Sequence, residues 1–382
     1  MTAKAQIKAL KKQIRRHDYL YYSADRPEIL DSEYDRLFAR LKALEAENPV
    51  LVTKDSPTQR VSGRPVKGFR KVRHGRPMLS INSVYSNVDA MREWAEGLGR
   101  TEYVVELKID GLALNLRYEK GILVRAATRG DGETGNDVMA NARMIKTIPS
   151  KIIGKAPDVL EVRGEVYMPK KVFEELNKHR KKSGKKPFAN PRNAASGSLQ
   201  QKTPQITADR RLAFFAFDTG ECSEIFAENQ WERLIKLNNS GFCVNRHARK
   251  AKDIKTAINI CMEWTDKRVQ LDYWIDGMVI KVNKLYQQSI SETDGRNWNW
   301  CVSYKFPSAQ ARTTVKAIII QTGKKGKKTP IAELEPIQLE GTIIKRVNLY
   351  NSDEVRRLRI REGCAVLIEK IGGIIPKIVA VF

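Results

Sequence analysis

No two cysteines of this chain are close enough to form a C-x-x-C pair; the five stand at 222, 243, 261, 301 and 364. That spacing argues against both a zinc knuckle and a disulfide framework and fits a reducing cytosol. No apolar run approaches the ~18 residues of a membrane span, and no signal-peptide core precedes a small-residue cleavage site. Repeats of fixed period are missing too. Acids are scarce: the first is Asp18, and 44 Asp plus Glu face 69 Lys plus Arg, a net charge of +25. An acid-poor start is one mark of a transit peptide, but the apolar periodicity of this one favours a folded helix. Charge of that size speaks of partners rather than fold and points to a polyanion such as nucleic acid.

What is present falls into three regions. The chain's 382 residues suffice for two or three domains with proper cores. Residues 1–66 read as a helical hairpin: Ile7, Leu10, Ile14 and Tyr21 form one stripe, and Tyr34, Leu37, Phe38, Leu41 and Leu44 a second. Asp31 or Ser32 suits an N-cap, and Asn48-Pro49 suits a stop. From 67 to 308, strand-like runs such as "EYVVELKID", "VLEVRGEVYM" and "WIDGMVIKV" mix with helical ones, "NDVMANARMIK" among them. From 309 to 382, short strand runs between turn signals predict a small β-barrel.

Two glycine patterns invite a phosphate-binding reading. Gly130-x-Gly132-x-x-Gly135 follows a strand-like run and fits the dinucleotide fingerprint. The next strand arrives too late for a Rossmann unit, and a hairpin turn explains these glycines as well. "GKKGKKT" (323–329) has two residues between its glycines where a phosphate loop has four, so it reads as a basic loop. "KHRKKSGKK" (178–186) holds six Lys or Arg in nine residues, a solvated helix end that can also add to a nucleic-acid footprint.

Charged residues recur at strand spacing. In "VVELKIDG" Glu106, Lys108 and Asp110 alternate with apolar residues and so share a face. "WIDGMVIKV" repeats Ile-Asp-Gly and supplies Lys281; "VSYKFP" supplies Lys305; "EVRGEV" sets Glu161, Arg163 and Glu165 on one face. With the small, turn-rich "ANPRNAASGS", these strands suggest the lining of a polar cleft. The chemistry would be covalent catalysis by an amine. A lysine of solution pKa about 10.4 is almost wholly protonated at neutral pH. Neighbouring cations (Arg129, Lys281, Lys305 or a metal) would activate it, with Glu106 or Asp110 available to hold the metal.

At these residues the chain resembles the NAD-dependent DNA ligases of bacteria. "ELKIDG" matches the K-x-D-G nucleotidyl-transfer motif. "TRGDG", "EVRGEV", "FANPRNAASGSL", "IDGMVIKV" and "VSYKFP" are similar to the motifs that follow it, in order, and "DRPEILDSEYDRL" to the family's N-terminal domain. The resemblance implies an α+β multidomain fold: a helical NAD/NMN-binding domain (1–66), a nucleotidyltransferase (ATP-grasp-like ligase) domain of antiparallel sheets and helices (67–308) and an OB-fold β-barrel (309–382). It also implies an enzyme that seals nicks in duplex DNA through a lysyl-AMP formed from NAD. The family's roles make Lys108 the nucleophile, with Glu106 and Lys281 on adenine, Glu165 on the ribose and Arg129 on the nucleotide. Asp110, Asp276 and Lys305 would order phosphates, the two aspartates with Mg²⁺. Tyr21, Tyr22, Asp31, Tyr34 and Asp35 would hold the nicotinamide half, and Arg192, Gln200, Arg210, Lys324 and Lys325 would meet phosphate or DNA. NAD and Mg²⁺ are the cofactors implied, without zinc, in a cytoplasmic monomer of a bacterium or of a virus in its host's cytoplasm, with no membrane partner.

The chain departs from that family at several positions. Tyr22 stands for a common histidine and Gln200 for an arginine, while Tyr350 and Gly373 replace polar residues of the barrel region. It stops where the barrel would end, before the zinc, helix-hairpin-helix and BRCT modules, as a minimal ligase or a fragment would. A nick-binding or adenylylation-only protein is the alternative, and Glu161 reads equally well as a surface strand charge.

Overall fold

The computed structural model describes the chain apart from residues 1, 23–27, 30, 54–55, 60–67, 86, 189, 292, 294, 307–309, 323–327, 340–341 and 372–374. Two compact units emerge: Met1–Asp25 with Phe38–Phe306, and Arg26–Leu37 with Pro307–Phe382. No helix among the described residues is long and apolar enough to cross a membrane.

The N-terminal helices run Ala3–Tyr22 and Asp31–Glu47. Ile7, Leu10, Ile14 and Leu41 are buried, as their stripes require. Beside them lies a polar knot that the stripes do not announce. Buried Lys11 and Glu45 pair at 3.0 Å, Ser56 donates to Glu45 at 2.7 Å, and Thr58 donates to its other oxygen. Burial works to raise the Glu45 carboxyl, but the Ser56, Thr58 and Lys11 hydrogen bonds prevail and hold it below its usual range.

Two larger sheets follow in the first unit, beside a two-stranded ladder of Lys71–Arg73 and Thr134–Asn136. One runs, in order, Ser80–Tyr85, Asn297–Lys305, Ile275–Val282, Tyr103–Ile109 and Arg249–Ala251. Its ladders are antiparallel except that Ser80–Tyr85 joins Asn297–Lys305 in parallel, a mixture the sequence reading did not foresee. The other, wholly antiparallel, runs Ile122–Thr128, Leu112–Glu119, Val159–Tyr167 and Ala213–Cys222. Period-two alternation gives each sheet an apolar and a charged face. In the first sheet Val105, Leu107, Met278 and Ile280 join the helices Val88–Glu96 and Ile254–Lys267 in one core. In the second, Leu114, Leu116, Leu160, Val162 and Val166 form another. Each such aliphatic side chain contributes about 1.5–3 kcal/mol on burial, and a one-residue slip would turn all of them outward.

Helix ends follow local chemistry. Asn190 accepts from the Asn193 amide at 2.7 Å and caps the helix Pro191–Leu199, with proline at its first position. The "NDVMANARMIK" segment departs from expectation. Only Met139–Ala142 is α-helical, because the chain there turns tightly between strands.

In the second unit five strands order as Thr342–Asn348, Lys328–Leu339, Gln310–Thr322, Ala365–Ile371 and Ile375–Val381. They enclose Val315, Leu334, Val347, Val366 and Ile368. Among the described residues no ladder joins the two end strands.

Candidate active site

Lys108 sits in a row set by strand register: it faces Gly277, which in turn faces Lys305 on the next strand. Ile275 faces Ile109 and Gly277 faces Lys108, so Asp276 is the extra residue of a β-bulge. The bulge aims the Asp276 carboxylate at the lysine, and Oδ2 accepts from Lys108 Nζ at 2.6 Å. Gly277 has no room for a side chain, since a Cβ would run into the Tyr304 carbonyl oxygen; Gly111 is confined in the same way by Val166. The repeated Ile-Asp-Gly therefore marks two close backbone approaches. The pair is 24% and 35% exposed, so it adds under about 1 kcal/mol to stability. Its consequence is position.

Two residues along the same face lies a second pair. Lys281 donates to Glu106 at 2.8 Å and to the Phe217 carbonyl at 2.9 Å, and it lies over the Phe217 ring. Gln230 donates to the same Glu106 oxygen at 2.9 Å. Both charges are buried. Burial pushes the Glu106 carboxyl up, and Lys281 and Gln230 pull against it. Lys281 is thus held against Glu106 rather than standing free beside Lys108.

The charged face of the second sheet supplies Glu165. Desolvation pushes its carboxyl up to about 7 against the pull of Arg192, Lys108 and Arg129, with Asp110 adding to the rise. Arg192 comes from the helix Pro191–Leu199 and approaches Asp110 at 3.9 Å. These five residues therefore share one electrostatic neighbourhood. Arg129 reaches towards Ser80 at 3.5 Å. Its backbone leads a turn in which Gly130 (φ 59°) and Gly132 (φ 94°) take left-handed conformations, and Asp131 accepts from the Glu133 and Thr134 amides. The glycine pattern is a turn, not a dinucleotide fold.

Glu161 is not the surface charge that spacing alone allowed. It is wholly buried and accepts from the Gly75 and Glu221 amides at 3.3 Å, with Arg125 at the same distance. His74 also went unremarked in the sequence. It is buried, its Nε2 bonds the Arg129 carbonyl at 3.2 Å and its Nδ1 meets Asn115 at 3.3 Å. Burial pushes its imidazole down, so it is neutral at neutral pH and tethers the Arg129 turn. Neither Gln230 nor His74 carries a local signal; both act through distant strands.

Gln200 ends the helix Pro191–Leu199 and accepts from Asn136 at 2.8 Å while donating to Ser196 at 3.1 Å. Arg210 ends the helix Pro204–Asp209, and its neighbour Arg211 is the solvated one, paired with Glu175. Tyr34 is half-buried in its helix. The side chains of Tyr21, Tyr22, Asp31 and Asp35, and residues Lys324, Lys325 and Gly373, lie outside the described residues.

Family profiles match nearly the whole chain. The NAD-dependent DNA ligase adenylation domain matches residues 66–309, the ligase-like N-terminal NAD⁺-binding domain 1–62 and the NAD-dependent DNA ligase OB-fold domain 312–382. Among curated proteins, a DNA ligase of Thermotoga neapolitana is 44% identical over 98% of this chain and 54% of its own length. One of Desulforamulus reducens is 46% identical over 100% of this chain and 57% of its own length. The chain thus spans little more than half the length of these relatives. Of solved structures, a Lig E DNA ligase aligns at 17% identity with a TM-score of 0.40, over 74% of this chain and 93% of that one.

Proposed function

The chain belongs to the NAD-dependent DNA ligase family, and from that membership and the site's geometry we propose that it forms a lysyl-AMP from NAD and seals nicks in duplex DNA. The observation that carries this reading is Lys108 Nζ held 2.6 Å from Asp276 Oδ2, one row from the Glu106–Lys281 pair. In the proposed first step the Lys108 nitrogen bonds to the α-phosphorus of NAD, and the bond to nicotinamide mononucleotide breaks with its electron pair on the departing phosphate. The proton that Lys108 sheds has Asp276 Oδ2 to receive it. Glu106 and Lys281, one acceptor and one donor fixed against each other, suit the edge of a purine. Arg129, Arg192 and Lys305 would carry charge on the phosphates. AMP then passes to the 5′-phosphate at a nick, and the 3′-hydroxyl displaces it.

Mg²⁺ fits the same place. The second Asp276 oxygen, Oδ1, is buried without a hydrogen-bond partner, and Asp110 lies in the same neighbourhood. One or two carboxylates with substrate phosphates and water are the usual cage for this ion. Bound there, it would neutralise charge developing on the phosphate oxygens.

Intact-mass measurement after mixing the protein with Mg²⁺ and NAD, or with ATP, tests the first step. An AMP-sized gain on Lys108 from NAD is expected. Labelling by ATP alone would overturn the nucleotide, and labelling by neither would overturn the enzyme. A nicked duplex then tests sealing, and stalled adenylate would favour the adenylylation-only reading.

A further inference from the structure

The basic run that sequence alone left as a helix end is built around one aromatic ring. The helix Lys170–Lys182 ends at a turn with Gly184 at φ 67°, where the Lys185 amide returns to the Arg180 carbonyl at 2.8 Å. Arg180 Nε donates to the Lys186 carbonyl at 2.8 Å. Asn177 then clips the returning chain at Phe188 with both ends of its amide, accepting from the Phe188 amide at 2.8 Å and donating to its carbonyl at 3.0 Å. Phe188 lies on the helix Pro191–Leu199 where Gly197 leaves space; a Cβ there would be 3.4 Å from the ring.

Two guanidinium groups share that ring. The Arg180 carbon lies 4.4 Å from its centroid and that of Arg210, from a separate helix, 6.0 Å. Like charges repel, and the arrangement shows in Arg210: burial and then Arg180 pull its ionisation downward, with Asp209 opposing. Among the described residues neither guanidinium has a carboxylate within ion-pair distance, and the nearby Glu175 is taken by Arg211. Arg210 Nη1 is buried with no hydrogen-bond partner. Two planar cations gathered on one ring, with no carboxylate paired to either among the described residues, make a receptor for an oxyanion. Around them Lys178, Lys181, Lys182, Lys185 and Lys186 are exposed, a track of charge that suits a polyanion better than a single nucleotide.

We infer that Arg180 and Arg210, held by Phe188, bind a backbone phosphate of duplex DNA. This rests on the ligase reading above. It adds Arg180, gives a role to Phe188 at the head of "FANPRNAASGSL", and gives Arg210 a definite partner. Phe188 acts as a positioning residue.

Fluorescence anisotropy of a labelled nicked duplex, titrated with each protein across a range of salt, tests it. Removing one phosphate contact lowers the slope of log K against log salt by about 0.9, and that loss is expected for Arg180→Ala. Phe188→Leu should weaken binding although no charge is removed, and Arg180→Lys should recover less than wild-type affinity because an ammonium lacks the fork. An unchanged slope for Arg180→Ala beside normal wild-type binding would overturn the site alone. A raised KM for NAD in Arg180→Ala without DNA would assign the anion to the nucleotide and overturn it too. Absence of duplex binding by the wild type would overturn the site and the reading beneath it together.

Discussion

Asp276 occupies the bulge opposite Lys108, and its Oδ2 lies 2.6 Å from the lysine nitrogen. The contact fixes the amine on the line of strand register, and in the proposed reaction it would give the attacking amine a proton acceptor. Replacing Asp276 by Asn keeps shape and hydrogen bonding but removes basicity. Self-adenylylation with NAD is expected to slow about 10²-fold or more, the usual size of a lost general base. Global stability should change by less than about 1 kcal/mol, because the pair is partly exposed. A rate within threefold of wild type would show that the contact only parks the lysine.

The Glu106–Lys281 pair behaves differently because both charges are buried. Lys281→Met strands the Glu106 carboxylate, and urea unfolding should show a loss of about 3–5 kcal/mol. Adding Glu106→Gln to that variant should recover part of the loss, since Gln230 still provides a hydrogen bond at that position. Nucleotide use should not recover with it. Recovery of both together would mean that the pair serves stability alone.

Glu165 makes stability depend on pH. Its carboxyl is raised from 4.5 to about 7, first by desolvation, so the folded chain holds this proton more tightly than the unfolded one. The contribution is therefore present in full below about 4.5 and is lost as pH rises through about 7. Glu165→Gln removes this dependence. Its stability relative to wild type should rise between those limits by no more than about 3.4 kcal/mol, measured by urea unfolding at each pH. Parallel curves for the two proteins would refute the shift.

Much of this site was legible because strand alternation is a local property. Glu106, Lys108 and Asp110 declare a shared face from neighbours in sequence alone, whereas "ANPRNAASGS", which reads as turn-rich, folds as the helix Pro191–Leu199. Partner choice is not local. Lys281 meets Glu106 rather than Lys108 because the register of Ile275–Val282 on Tyr103–Ile109 says so. Spacing likewise puts Glu161 on the charged face without saying that Arg125 and two backbone amides cover it. The Asp276 bulge and the Lys11–Glu45 knot escape notice for the same reason: each depends on chain brought from far away.

Gln200 offers the sharpest test of how phosphate is met in this chain. Its amide is engaged at both ends, by Asn136 and Ser196, and Asn136 in turn accepts from Lys71 at 2.7 Å. The residue thus ties the end of the Arg192 helix to a neighbouring strand without bringing charge. Gln200→Arg exchanges that tie for a cation. If phosphate attraction limits sealing, pre-adenylylated Gln200→Arg should seal a nicked duplex several-fold faster at about 0.15 M salt, and its salt slope should steepen by about 0.9. If the tie matters more, the Arg192 helix end loosens and sealing falls while the slope steepens. The first outcome is expected, because the helix keeps its Asn190 cap and its buried Ala194, Ala195 and Leu199, which together outweigh one side-chain hydrogen bond of about 1 kcal/mol.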